Sequence, residues 1–177
     1  MKKLHINFDE IQKAAEDTER EAFDYFLDTK TGEVIILSAE IIALARDILA
    51  QTYDDDISDY EEVEPDVLPE IPEWIEDEIE LALDVFLLDQ DRYKRIPERK
   101  PSDTYAAMKK FADTLENQHL REQLWQALDG QGAFRKFKDL LVLYPKERKL
   151  WHNFNAKAAK KESESWLASY GREPETP

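Results

Sequence analysis

The chain contains no cysteine, only four glycines, and no long uninterrupted apolar run. Without cysteine, disulfide bonds and cysteine-ligated zinc sites are excluded. Apolar clusters such as residues 34–37 and 85–88 are far shorter than the ~20 residues that span a bilayer. The first ten residues lack the apolar core and small-residue cleavage site of a signal peptide. We therefore expect a cytoplasmic protein that does not enter the membrane.

The net charge of -16 is unevenly distributed. Residues 1–100 hold 29 acids and 11 bases, whereas residues 101–177 hold 11 acids and 13 bases. Between 54 and 91 there are 17 acids and no base, and between 135 and 161 there are nine bases and two acids. The acidic total opposes nucleic-acid binding by the whole surface, because phosphates would be repelled, but it leaves room for a local basic face.

The N-terminal part predicts a β-hairpin among helices. Two β-rich runs, 22–28 and 33–38, flank a turn that ends in Gly32, and glycine can take the positive φ that closes such a turn. A lone hairpin is marginal in water, so it must pack on helices or gain a strand. Helical periodicity is found around 9–17, after Ser38 and over 75–87.

Proline-containing segments separate these elements. Residues 53–72 are acidic, carry three prolines and show no periodicity, which indicates a surface loop or linker. Residues 93–101 are basic and contain prolines, and we expect a connector there.

The C-terminal part predicts helices only. Asn117 is a candidate N-cap, the segment 129–132 with its two glycines ends one helix and begins the next, and Pro145 begins a long final helix. The predicted fold is α+β and predominantly helical, with an N-terminal hairpin packed on helices. Residues 1–92 would form an acidic part and 101–171 a helical part with a basic helix pair, or both would form one composite domain.

Four stretches, in their order and spacing, carry a family resemblance. They are Tyr25-Phe26-Leu27-Asp28 with Thr31-Gly32-Glu33-Val34, the run from Gly130 to Asp139, Pro145 with Arg148 and Trp151 to Phe154, and Trp166-Leu167. Together they resemble the bacterial Uncharacterised Protein Family 0158 over most of the chain. The most specific element is Gly-x-Gly-Ala-Phe-Arg-Lys-Phe-Lys-Asp, where the family pattern more often has two arginines at Arg135 and Lys136. The resemblance implies no activity, cofactor or substrate.

The basic helix pair supplies the candidate site for an anionic partner or nucleic acid. Its six bases are Arg135, Lys136, Lys138, Lys146, Arg148 and Lys149. If the two helices pack antiparallel, these bases form one patch for phosphate contacts. The alternative is a solvated face, or a surface that binds the acidic segment of the same chain or of another copy. The neighbouring Phe134, Phe137, Trp151 and Phe154 fit a core stripe better than a base-stacking platform.

No other pattern nominates a catalytic residue, a metal site or a cofactor. The glycine pair at 130 and 132 could let an anion approach a helix start, but phosphate-loop motifs need a preceding strand. The acidic run from Asp54 puts Asp59 and Pro65 where a calcium loop requires glycine and glutamate. The three histidines are far apart and share no helical face.

Three functional hypotheses follow. The first is a non-enzymatic interaction or regulatory module with a protein partner or self-association, which the charge distribution and an exposed hairpin edge favour. The alternative is a nucleic-acid-associated protein that uses the basic helix pair. The third is an enzyme whose site is assembled from scattered residues.

Overall fold

A computed structural model of the protein describes residues 2–52 and 71–175. The described residues form seven α-helices and five short strands, so the predicted mostly helical α+β fold is confirmed. Residues 53–70 of the predicted acidic loop lie outside the described residues. The helices are α1 (Phe8–Glu16), α2 (Ala39–Thr52), α3 (Glu76–Leu83), α4 (Pro101–Thr114), α5 (Gln118–Leu128), α6 (Ala133–Val142) and α7 (Pro145–Ser169). The strands are β1 (Lys2–Leu4), β2 (Phe23–Asp28), β3 (Val34–Ser38), β4 (Tyr93–Arg95) and β5 (Arg172–Pro174).

The chain divides into two compact units. The sheet unit contains Leu4–Asn7 and Asp17–Ile96, and the helical unit contains Met1–Lys3, Phe8–Glu16 and Pro97–Pro177. Helix α1, which precedes the hairpin in sequence, thus belongs to the helical unit.

The predicted hairpin is the centre of the sheet unit. Strands β2 and β3 pair antiparallel with Tyr25 opposite Ile36, and β4 pairs antiparallel with the other side of β2. The sheet order is therefore β3-β2-β4. The prediction of a connector over 93–101 is wrong for its first three residues, because Tyr93–Arg95 forms this third strand. The hairpin both gains a strand and packs on helices.

One face of the sheet packs on α2 and α3. The side chain of Ser38 begins α2 by accepting a hydrogen bond from the Ile41 amide at 3.2 Å. Apolar side chains at helical spacing then point at the strands. The buried members of this core are Phe26, Leu37, Ile41, Ala45, Ile48, Ile75, Ile79, Ala82, Val85 and Tyr93.

An ion pair fixes the hairpin turn to the start of β4. Asp28 is 3% exposed, and it accepts hydrogen bonds from the Arg92 guanidinium at 2.9 and 2.6 Å and from the Lys30 amide at 2.8 Å. Burial alone would raise the pKa of the Asp28 carboxyl, but these hydrogen bonds outweigh it and lower that pKa from 3.8 to about 2. The carboxylate is therefore charged and paired at neutral pH.

The helical unit is built around a cluster of aromatic rings. The ring centroid of Phe111 on α4 lies 6.3 Å from Phe137 on α6 and 5.4 Å from Trp151 on α7. Asn117 is the N-cap of α5, as the sequence predicts, and its side chain accepts a hydrogen bond from the Leu120 amide at 3.1 Å. The buried members of this core are Ala107, Met108, Phe111, Ala112, Leu115, Leu120, Leu124, Leu128, Phe137, Leu141 and Trp151.

Candidate interaction groove

The predicted basic helix pair is present as α6 and α7. Gly130 and Gly132 have φ values of 92° and 71°, so the chain can end α5 and begin α6 within four residues. The Lys136 amide donates to the Gly132 carbonyl at 2.9 Å, which closes the first turn of α6. Pro145 occupies the first turn of α7. Backbone amides there have no acceptor within the helix, so the lack of an amide proton in proline costs no hydrogen bond.

All six predicted bases are exposed. Arg135 pairs with Asp139 one turn later at 3.6 Å, and both side chains are largely in solvent. Such an exposed pair contributes little to stability. The other five make no ion pair with any residue in the described ranges 2–52 and 71–175. Their charge is therefore not neutralised within the described part of the chain.

The six bases do not share one helical face. Successive residues turn by about 100° around an α-helix, so Lys136 and Lys138 lie on opposite flanks of the buried Phe137. On α7, Lys146 and Arg148 flank the buried Trp151 in the same divergent way. The cations are therefore spread over an arc of about 160° on the outward side of each helix instead of lining a single narrow strip.

A concave feature of the helical unit lies between α4 and α7. A cleft of about 510 Å³ lies between the end of α4 and the first half of α7, and a second cleft of about 380 Å³ continues toward the start of α4. Both clefts are lined by Phe154 and Lys157, so they lie next to each other along two antiparallel helices. We call the two clefts together the α4–α7 groove. Its remaining lining residues are Asp103, Ala106, Ala107, Lys110, Phe111, Thr114, Leu115, Glu116, Asn117, Lys146, Glu147, Leu150, Asn153, Ala158, Lys161 and Glu162.

The floor of the α4–α7 groove is apolar and firmly held. Phe154 is half-buried, and its ring lies 5.7 Å from Phe111 and 6.4 Å from Trp151 between centroids. Leu150, one turn earlier on α7, is 48% exposed. A large side chain that projects from a rigid aromatic core into an open cleft offers apolar surface without needing a rearrangement.

The rims of the groove are charged. The α7 rim carries Lys146, Lys157 and Lys161 together with Glu147, whereas the opposite rim carries Asp103, Lys110 and Glu116. Glu162, also on α7, is already paired with a guanidinium of the protein. The α7 rim is therefore the more basic of the two.

Polar side chains in the groove serve the protein's own helices. The Thr114 hydroxyl donates to the Phe111 carbonyl at 2.7 Å, and Asn117 is the N-cap of α5. These groups do not converge on a point above the apolar floor. The arrangement differs from a small-molecule pocket, in which a few polar groups fix the ligand's orientation.

A buried arginine holds α1 against the α7 wall. Arg99 is 4% exposed at its side chain and donates to Glu162 at 2.8 Å, to Glu16 at 2.8 Å and to Asn155 at 2.6 Å. Burial alone would lower the pKa of Arg99, but the two carboxylates outweigh it and raise that pKa. Arg99 thus ties α1 to α7 at Asn155 and Glu162, the second of which also lines the groove.

Other kinds of site find no support in the part of the chain that the structure describes. No group of three or more histidine, aspartate or glutamate side chains is placed there to hold a metal ion. No helix among residues 2–52 and 71–175 is both long and apolar enough to cross a bilayer. Helix α7 has 25 residues, but charged side chains interrupt it throughout.

A comparison with known families identifies the family of this chain. Residues 73–173, more than half of the chain, match the model of the uncharacterised protein family UPF0158. The chain belongs to this family. The resemblance identified from the sequence is confirmed, although its hairpin stretch at 25–34 lies before the matched residues. The UPF0158 match includes both walls of the α4–α7 groove and all six predicted bases. Neither curated proteins nor solved structures gave a match.

Sequence reasoning missed the α4–α7 groove for a physical reason. Helical periodicity assigns Trp151 and Phe154 to an apolar stripe of α7, and Leu150 is the apolar neighbour of this stripe in sequence. A stripe identifies the side of a helix that packs, but it does not show where the neighbouring helix stops covering it. The sequence signal for the uncovered part is the adjacent apolar pair Leu150 and Trp151, whose side chains point about 100° apart on α7.

Proposed function

We propose that this UPF0158 protein is a non-enzymatic cytosolic protein-interaction module whose α4–α7 groove binds an amphipathic helix of a partner protein. The observation that carries the proposal is the open groove with an apolar floor at Leu150 and Phe154 and charged rims. A groove between two helices is a recurrent docking site for a third helix, whose apolar face enters it.

The length of the groove suits a helix of four to five turns. On α7 the lining runs from Lys146 to Glu162, and at 1.5 Å per residue this is about 24 Å. A partner helix would place apolar side chains at positions i, i+3 or i+4, and i+7 above Phe154 and Leu150.

The charged rims determine the orientation and the chemistry of the partner. The α7 rim presents Lys146, Lys157 and Lys161, so the partner helix should carry acidic side chains along the flank that faces α7. Charges at the rim of an interface mainly set specificity and association rate, and salt screens them. The affinity itself should come from the apolar floor.

The test is a selection from a displayed library of amphipathic helical peptides, followed by titration of labelled peptides into the full chain. Leu150→Glu should weaken binding at least about tenfold, because it removes apolar contact worth about 1–2 kcal/mol and puts a carboxylate over the groove floor. Selected peptides should carry acids on one flank.

The matched control is Leu143→Glu. Leu143 is 74% exposed and is not part of the groove lining, so this variant has the same change of charge and should bind as the unchanged protein does. The proposal would be contradicted if the selected peptides bound the unchanged protein, Leu150→Glu and Leu143→Glu equally well. It would also be contradicted if the selection gave no peptide whose binding depends on Leu150.

A second candidate function is nucleic-acid association through α6 and α7. It is favoured by the five exposed bases without an ion pair in the described ranges, and it is weakened because these bases are spread over the outward sides of two helices instead of forming one narrow strip. Titration with single-stranded RNA and duplex DNA separates the two. Binding that falls steeply with salt and is lost when Arg135, Lys136 and Lys138 are replaced by glutamine would favour the nucleic acid.

A further inference from the structure

The two edges of the β3-β2-β4 sheet differ in chemistry. Edge strand β4 is three residues long, and its Lys94 and Arg95 pair with Asp91 and Asp24. Edge strand β3 has the sequence Val-Ile-Ile-Leu-Ser, without charge or proline. Charged side chains and prolines are the usual protection of an edge against pairing with another strand. The β3 edge has neither.

The hydrogen-bond pattern shows which groups of β3 face outward. The Asp28 amide donates to the Glu33 carbonyl at 2.9 Å, so the Glu33 carbonyl turns toward β2. Hydrogen-bonded and non-bonded pairs alternate along an antiparallel ladder, so Ile35 turns its backbone groups to β2. Val34 and Ile36 turn theirs to the open side. Within residues 2–52 and 71–175, the backbone of Ile36 has no hydrogen-bond partner on that side.

The side chain of Ile36 reinforces this edge. It is 59% exposed, although β-branched apolar residues are typical of the covered faces of sheets. Its cross-strand neighbour Tyr25 is half-buried. At Ile36, an exposed apolar side chain and backbone groups that pair with no residue in the described ranges therefore occur together.

We propose that β3 pairs antiparallel with β3 of a second copy of this chain, with the two-fold axis at Ile36. Free N–H and C=O groups in an extended row are satisfied best by another strand, and β3 itself is a suitable one. In this register Ile36 faces Ile36 of the partner subunit, Val34 faces Ser38 of the partner subunit, and no charged residue of the strand opposes a like charge. The result is one continuous six-stranded sheet.

The dimer should be strengthened by salt. Each chain carries a net charge of -16, so two copies repel each other, and added salt screens that repulsion while it leaves apolar contact and backbone hydrogen bonds intact. A rim-charge interaction such as the one proposed for the α4–α7 groove responds to salt in the opposite direction. The two proposals concern separate units and can fail independently.

The experiment is sedimentation velocity on the full chain from about 10 to about 500 µM, at about 50 and about 500 mM salt. The dimer fraction should rise with both concentration and salt. Ile36→Pro should abolish it, because the Ile36 amide faces away from β2 and its loss spares the hairpin. Ile36→Lys should do the same by charging the edge.

Two controls keep the result interpretable. Leu143→Glu, in the helical unit, should dimerise like the unchanged protein. Ile36→Lys does not alter the backbone, so it provides the test if Ile36→Pro fails to fold, as judged by circular dichroism. A protein that stays monomeric at the highest concentration in both salts, or a dimer that survives in folded Ile36→Lys, would overturn the proposal.

Discussion

Replacement of Asp28 by asparagine should destabilise the sheet unit, and the loss should depend on pH. The carboxylate is almost fully buried and joins the hairpin turn to Arg92 through two hydrogen bonds. Asparagine has nearly the same volume, so the change removes charge without opening a cavity. The Arg92 side chain is 29% exposed and can be hydrated when its partner is lost, which limits the penalty.

The magnitude follows from the pKa of Asp28. Folding lowers this pKa from 3.8 to about 2. Because a shift of one pKa unit corresponds to about 1.4 kcal/mol, ionised Asp28 contributes about 2 kcal/mol to the free energy of unfolding. Because the folded pKa is the lower one, this contribution is complete above about pH 4. It is lost as the pH falls from the unfolded value toward the folded one.

The assay is urea unfolding of the unchanged protein and Asp28→Asn at several pH values, with amide hydrogen exchange in β2 as the local reporter. The two proteins should differ by about 2 kcal/mol at pH 7, and the difference should shrink steadily below about pH 4. A difference below about 0.5 kcal/mol at pH 7, or one that does not change with pH, would refute the reasoning.

Two further substitutions test the packing on which both proposals depend. Arg99→Lys should lower the free energy of unfolding of the helical unit, measured in urea, by about 1–3 kcal/mol. The reason is that lysine cannot form the two parallel hydrogen bonds that Arg99 donates to Glu162. An Arg99→Lys variant as stable as the unchanged protein would contradict this role of Arg99. Gly32→Ala should be more harmful than Gly130→Ala in thermal unfolding, although both glycines have positive φ. A Cβ at Gly32 would lie 2.1 Å from the His5 carbonyl oxygen, whereas one at Gly130 meets open space and should cost only the ~1–2 kcal/mol of the left-handed conformation. If Gly32→Ala and Gly130→Ala lowered the unfolding temperature equally, the close approach of Gly32 to His5 would not contribute to stability.

The hairpin and most helices could be predicted because each is specified locally. Two β-rich runs around Gly32 leave few alternatives to a tight turn, and Ser38 and Asn117 sit where their side chains cap the first turn of a helix. The apolar positions of α4 to α7 recur every three or four residues, and such a pattern determines the buried side of each helix.

Strand β4 and the α4–α7 groove could not be predicted because they depend on distant parts of the chain. Tyr93–Arg95 has two charged residues in three and lies near Pro97, so only its pairing with β2 makes it a strand. Phe111 and Phe154, which line the groove, are 43 positions apart in sequence. Periodicity shows that both residues face a core, but the gap between their helices arises from packing.

The central claim is that the α4–α7 groove binds an amphipathic helix, and one titration tests it most directly. A labelled helical peptide selected on the unchanged protein is titrated with that protein, Leu150→Glu and Leu143→Glu, and binding is followed by fluorescence anisotropy. The claim predicts binding that is at least about tenfold weaker for Leu150→Glu and unchanged for Leu143→Glu. Equal affinity for all three proteins would show that the groove is not the binding site.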